Sequence, residues 1–202
     1  MIRADEALQR LRDGNARFVA GDSDPASLAS HTKRQQLKAG QSPFAIVLGC
    51  SDSRVPVEVL FDQDLGDLFV IRVAGNIVAR SQVGSIEFAG QELGARLVVV
   101  LGHTQCGAVE TTLNELNKAS EQQSENLGFI VDKIRPAVEQ VIADGFGHDP
   151  DVLAARVVRE NIRRSMGAIR HGSDIIERLV AKEGLMIVGA EYSLDTGKVD
   201  FL

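Results

Sequence analysis

The sequence predicts an α/β fold: a central, mostly parallel β-sheet flanked by helices, with an N-terminal helical arm and a C-terminal edge hairpin. Three observations predict it. Short apolar runs at residues 44–48, 68–73 and 97–101 have the length and near-continuous hydrophobicity of strands buried in a parallel sheet. A helix-like segment separates the second run from the third, and strand, crossover helix, strand implies parallel pairing. The first and third runs each open into a polar, glycine-flanked turn, and ligands of open parallel sheets collect beyond the carboxyl ends of strands.

Taken in order, residues 4–20 read as an amphipathic helix, with Leu8, Leu11 and Phe18 forming a stripe that Gly14 interrupts. So few apolar positions suit docking on another subunit. Residues 21–43 are polar, with a short helix expected around Lys33–Lys38, and read as an arm. The chain is therefore expected to be one domain, 1–202, with 1–43 as arm and 44–202 as α/β core. Val57–Phe61 is expected as a short helix and Asp62–Asp67 as a polar loop. Ser81–Leu93, carrying Val83, Ile86 and Phe88, reads as a core-facing helix closed by Gly94. Residues 108–116 read as the helix after the third strand. Residues 125–145 and 151–169 are helical by period, with Val152, Ala155, Val158, Ile162 and Met166 tracing one face of the second. Asp174 with Glu177 resembles a capping box that opens a helix to Lys182, stopped by Gly184. Leu185–Tyr192, a turn at Asp195-Thr196-Gly197 and Lys198–Phe201 form the expected edge hairpin.

Composition removes several function classes. With 202 residues and 44% hydrophobic content, the chain is long enough for one well-packed domain. Its net charge is −6 without a Lys/Arg cluster, so the electrostatic footprint of a nucleic-acid binder is missing. No apolar run approaches the ~20 residues of a membrane span. Met1–Glu6 carries acidic residues where a secretory signal would turn apolar. The expectation is a cytoplasmic protein acting on a small molecule, with no nucleic acid and no membrane as partner. Two cysteines allow at most one bridge, so no disulfide framework is expected.

Those cysteines sit in the two polar turns. The first is Gly49-Cys50-Ser51-Asp52-Ser53-Arg54 and the second Gly102-His103-Thr104-Gln105-Cys106-Gly107. If the chain stays extended through Arg54, side chains 50, 52 and 54 project to one side. His103 and Cys106, three apart, would share one face of a first helical turn, and a helix N-terminus favours an ionised thiol. Two thiolates and one imidazole suit zinc, and three protein ligands leave a fourth position open, as in catalytic sites. Asp52 would either fill that position or leave it to water, held by Arg54 in a bidentate pair. Taken singly, each residue has a plainer reading: Cys50 as core, His103 as a turn residue, Asp52 as a cap on backbone amides with Arg54 its surface partner. The pairing of the two turns favours the metal. His31, His148 and His171 read as surface residues, and Gly75-Asn76 as a tight turn.

Cys50-x-Asp52-x-Arg54 followed by His103-x-x-Cys106 resembles the signature of the β-class carbonic anhydrases. Val70-Ile71-Arg72-Val73-Ala74-Gly75-Asn76 resembles that family's intervening segment, and the likeness covers roughly residues 40–110. The resemblance implies one Zn2+ per chain on Cys50, His103 and Cys106, an Asp52–Arg54 dyad, and reversible hydration of carbon dioxide to bicarbonate and a proton by zinc-bound hydroxide. It further implies a substrate pocket of Gln41, Phe69, Ala74 and Phe88, with Gln41 reached across a subunit interface. Phe88 replaces the tyrosine common there, and Ala74 a valine. A homodimer or dimer of dimers, with active sites at the interface, is implied as well. Because two thiolates neutralise the metal's charge, activity is expected to rise toward alkaline pH. Members with a non-catalytic bicarbonate site carry a tryptophan where Val47 stands, although Arg72 and Tyr192 match its other residues. The expectation here is no such site and Asp52 paired with Arg54. The rival readings are hydrolysis of carbon disulfide or carbonyl sulfide on the same site, a closed non-catalytic zinc module, and, more weakly, a thiol redox protein.

Overall fold

A computed structural model describes residues 2–24, 31–115, 124–146 and 149–202. Five strands form one sheet: β1 (Ala45–Gly49), β2 (Leu68–Arg72), β3 (Leu97–His103), β4 (Met186–Tyr192) and β5 (Val199–Phe201), in the order β2-β1-β3-β4-β5. The first four are parallel, and β5 runs antiparallel to β4 as the expected edge hairpin. From β1 the chain moves to one side for β2 and to the other for β3. The carboxyl ends of β1 and β3 thus flank a topological switch point, where such sheets open a crevice. Register brings the ends together, since Gly49 is opposite both Arg72 and Leu101.

Period-two alternation sorts the strand side chains into two cores. Ile46, Leu48, Val98 and Val100 join helices α4 (Arg80–Gln91), α6 (Glu125–Ala143), α7 (Pro150–Arg170) and α8 (Asp174–Lys182) on one face. Ala45, Val47, Leu97, Val99 and Leu101 meet α1 (Ala4–Ala20) and α3 (Val57–Leu60) on the other. Two further helices, α2 (His31–Gln36), followed by a 3-10 turn at Leu37–Ala39, and α5 (Gly107–Glu115), together with a second 3-10 turn at Ala74–Asn76, complete the described elements.

Several sequence expectations need correction. The first helix docks on its own chain: Ala4, Ala7 and Leu11 are buried in the second core. Gly14 belongs to that buried face, and a Cβ there would lie 1.8 Å from the Phe61 carbonyl oxygen. Glycine therefore permits a backbone-close contact that the stripe of larger residues could not make. Asn15 is buried beside it, donating to the Leu60 and Gly197 carbonyls and accepting from the Val199 N–H. Arg10 and Arg17 pair with Asp67 and Asp62 of the polar loop. On α7 the buried face is Val157, Val158, Asn161, Ile162, Ser165 and Ile169, while Val152 and Ala155 are exposed. The apolar count alone missed this face because two of its members are polar residues bonded to backbone. Ser173, not Asp174, caps α8, its Oγ accepting from the Ile176 N–H at 3.2 Å. Phe88 is 48% exposed and not core, although Ile86 of the same helix is buried. His31 and His171 are exposed as expected; His148, and Leu116 at the expected end of α5, lie outside the described residues.

Candidate metal centre

Strand β1 ends at Gly49, so the chain does not stay extended through Arg54. Instead residues 52–55 form a turn in which the Val55 N–H donates to the Asp52 carbonyl at 3.1 Å. Asp52 organises it as an Asx turn, its Oδ1 accepting from the Arg54 backbone N–H at 2.9 Å. The same turn folds the Arg54 side chain back onto the carboxylate, with Nε to Oδ1 at 2.9 Å and Nη2 to Oδ2 at 2.7 Å. The capping role and the bidentate pair, weighed as alternatives from sequence, coexist. The Arg54 Nη2 also donates to the Gln105 carbonyl at 3.1 Å, which ties the first turn to the second. From below, Arg72 at the end of β2 donates Nε to the Cys50 carbonyl at 2.9 Å and Nη2 to the Asp52 carbonyl at 2.5 Å.

The second turn is likewise not helical between His103 and Cys106. His103 is the last residue of β3, Gln105 adopts φ +54, and α5 begins only at Gly107. That left-handed step swings Cys106 back toward the histidine. Strand β4 anchors the turn: the Thr104 N–H donates to the Tyr192 carbonyl, and Thr104 Oγ1 accepts from the Leu194 N–H.

The ligating atoms of Cys50, His103 and Cys106 converge to within 4.8 Å of one another, and all three residues are buried. His103 Nδ1 lies 2.9 Å from the Thr104 carbonyl, so Nδ1 carries the proton and Nε2 presents its lone pair to the sulfurs. Nε2 has no hydrogen-bond partner, one of two such buried side-chain atoms among the described residues, with Asn76 Nδ2. An unpartnered buried nitrogen costs ~1–3 kcal/mol, which a metal would offset. The donor set fits a zinc ion, for which three N/S ligands with a fourth position open is a familiar arrangement. Asp52 Oδ2 stands 3.9 Å from Nε2, beside the cluster yet held by Arg54.

Electrostatics agree with a site built for a cation. The Cys50 thiol is pulled well below the ordinary thiol range, first by the hydrogen bond from the Cys106 thiol, against burial, with His103 and the Gly75 and Asp52 backbone amides helping. Cys106 is pushed up by the Cys50 sulfur and by burial, because two thiolates so close cannot both ionise without a compensating charge. Burial works against charging His103, but the Cys50 thiolate more than compensates and raises it. Arg54 holds the Asp52 carboxyl well below the ordinary carboxylate range.

Of the pocket residues expected from sequence, Phe69 and Phe88 meet, ring centroids 6.1 Å apart at 40°. Ala74 is half-buried beside the Gly75 turn, and Gln41 is exposed on the segment leading into β1. Val47 is buried in the second core and Tyr192 is buried on β4. Sequence reading missed Asn161 and Ser165, whose side chains donate to the Gly75 and Asn76 carbonyls at 2.8 and 3.0 Å. Their signal was two polar residues four apart on the face that carries Val158 and Ile162.

Comparisons with known proteins agree with this geometry. The carbonic anhydrase family model matches residues 45–199. Carbonic anhydrase 2 of Mycobacterium tuberculosis is 39% identical over 193 residues, covering 95% of this chain and 89% of that protein. A β-carbonic anhydrase of Aspergillus fumigatus superposes with a TM-score of 0.76 at 25% identity, over 98% of this chain and 89% of that one. A tetrameric β-carbonic anhydrase of Sordaria macrospora shares the fold at a TM-score of 0.75 and 23% identity, over 84% and 85% of the two chains. With its two cysteines and histidine gathered at the switch point of a parallel sheet, this chain belongs to the β-carbonic anhydrase family and is a carbonic anhydrase.

Proposed function

We propose that this chain hydrates carbon dioxide reversibly to bicarbonate and a proton, using one Zn2+ held by Cys50, His103 and Cys106. The observation that carries the reading is the buried, unpartnered Nε2 of His103 facing two thiols within 4.8 Å. Zinc held by Cys50, His103 and Cys106 would supply Lewis-acid chemistry that lowers the pKa of water, less strongly than among three histidines because two thiolates would cancel its charge. Asp52 accepts a hydrogen bond from the oxygen that attacks carbon dioxide and so fixes its direction. Arg54 keeps that carboxylate ionised and bonds both of its oxygens, which argues against a closed module with Asp52 as a permanent ligand. The proton departs to solvent.

Phe69 and Phe88 would form the apolar wall of the pocket, with Ala74 beside them and Gln41 supplied by a neighbouring subunit. The working assembly is a homodimer or a dimer of dimers, as the tetrameric relative suggests, and solution mass sets the number. Among the described residues no helix is long and apolar enough to cross a membrane. The reading keeps the protein in the cytoplasm, where thiols stay available to a metal.

The test is metal analysis coupled to stopped-flow hydration, with carbonyl sulfide and carbon disulfide assayed alongside. One zinc per chain, activity lost on chelation and restored by zinc, and preference for carbon dioxide are expected. Zinc-free protein with full activity, or turnover of the sulfur analogues alone, would overturn the reading.

A further inference from the structure

The Cys50 sulfur has an attachment that begins on a distant helix. The Gly75 N–H donates to Cys50 Sγ at 3.3 Å. The Gly75 carbonyl accepts from Asn161 Nδ2 at 2.8 Å, and the next carbonyl, of Asn76, accepts from Ser165 Oγ at 3.0 Å. Asn161 and Ser165 stand one turn apart on α7, only 3% and 5% exposed, so both bonds are shielded from water. Their target is a tight turn whose one internal backbone bond is from the Asn76 N–H to the Val73 carbonyl at 3.0 Å. Gly75 has φ +69 and Asn76 φ +42, a region that L side chains rarely adopt. The turn is also wedged from the other side: a Cβ on Gly75 would lie 2.7 Å from Ile134 Cδ1 and 3.1 Å from Ala108 Cβ.

We propose that Asn161 and Ser165 are positioning residues for the metal-bound thiolate: they fix the Gly75–Asn76 turn so that the Gly75 N–H stays on the Cys50 sulfur. The inference rests on Cys50 being a metal ligand. An N–H bond to a thiolate draws electron density from the sulfur, weakens its donation and leaves the metal more electrophilic. Partners one shell out from a metal commonly set affinity in this way. Without α7, the sulfur would sit on a looser arm and be a stronger donor: the lost preorganisation would outweigh the added donation and lower the metal's affinity, while the stronger donation would make the metal polarise its substrate less.

The test replaces zinc with cobalt(II) and reads sulfur-to-metal charge-transfer absorption together with metal affinity. Wild-type protein must show the absorption; its absence would sink the metal assignment, separately from this inference. In Asn161→Ala the band moves to lower energy and affinity falls about 10–100-fold. Ser165→Ala, which removes a single oxygen, moves both in the same direction by less, and carries the test if Asn161→Ala fails to fold. Asn15→Ala is the control for a merely loosened fold, because Asn15 also bonds buried backbone but on the opposite face of the sheet. It should lower stability and leave the band unmoved. An unchanged band and affinity in the folded α7 variants, or an equal shift in Asn15→Ala, overturns the proposal.

Discussion

Replacing Asp52 with Asn separates what the carboxylate does for the fold from what it does for the reaction. Oδ1 accepts two bonds from Arg54, from the backbone N–H and from Nε, both at 2.9 Å, whereas Oδ2 accepts one, from Nη2 at 2.7 Å. An amide has one oxygen, which will take the Oδ1 position because the reverse orientation would set its NH2 against two donors. Its NH2 then replaces Oδ2, the oxygen 3.9 Å from His103 Nε2 and turned toward the metal position. The turn keeps two of its three bonds. Arg54, with its side chain 49% exposed, turns to solvent for the third, so stability changes little. At the reacting centre an acceptor has become a donor and can no longer orient the attacking oxygen. The loss of a positioned proton acceptor costs about 10²–10⁴-fold in kcat/KM. Stopped-flow hydration, with metal content and a thermal melt on the same sample, reads all three quantities. Metal intact, melt unmoved and activity within threefold of wild type would refute the role given to Asp52.

Further outcomes follow from other parts of the molecule. Asn15→Ala removes three hydrogen bonds, one buried and two part-buried, at about 1 kcal/mol each, so stability should fall by about 3 kcal/mol and the melt by about 6–12 °C, with hydration by the folded enzyme intact. An unchanged melt would mean that α1 docks elsewhere in solution. The Asp52 carboxyl is held below its ordinary value of 3.8, so the stability it contributes is present above that pH and lost as pH falls through its lower folded value. The difference in unfolding free energy between metal-free wild type and Asp52→Asn, small because the Arg54 partner is half exposed, should be constant from neutral pH to about 4 and shrink toward zero below that. A difference that grows with acid would reverse the sign. Hydration should rise toward alkaline pH, and a rate flat from mildly acidic to alkaline conditions contradicts the charge argument. Gln41→Ala should lower kcat/KM about tenfold, the worth of one hydrogen bond, with zinc and assembly unchanged; wild-type kinetics would remove Gln41 from the pocket.

The strands and the two cysteine-bearing turns were legible because each is written locally: an apolar run, then glycine and a polar residue. The means of convergence was not. Extension through Arg54 and a helical turn from His103 to Cys106 were the simplest local geometries. The molecule uses an Asx turn and a left-handed Gln105 instead, choices that depend on Arg54 reaching the Gln105 carbonyl 51 residues away. The docking of α1 was hidden for a similar reason. Gly14 and Asn15 look like interruptions of an apolar stripe until Phe61 and Gly197 are known to lie against them. Asn161 and Ser165 look like defects in a helix face until the Gly75 turn is placed beneath them. Polar residues that serve backbone distant in sequence leave no periodic trace.

The most direct test is a crystal structure at neutral pH with anomalous scattering recorded at the zinc edge. The account predicts a single peak per chain about 2.3 Å from the sulfurs of Cys50 and Cys106 and about 2.0–2.1 Å from His103 Nε2, with Asp52 still on Arg54 and a water in the fourth position. A peak elsewhere, two free thiols with nothing between them, or Asp52 bound to the metal would contradict it.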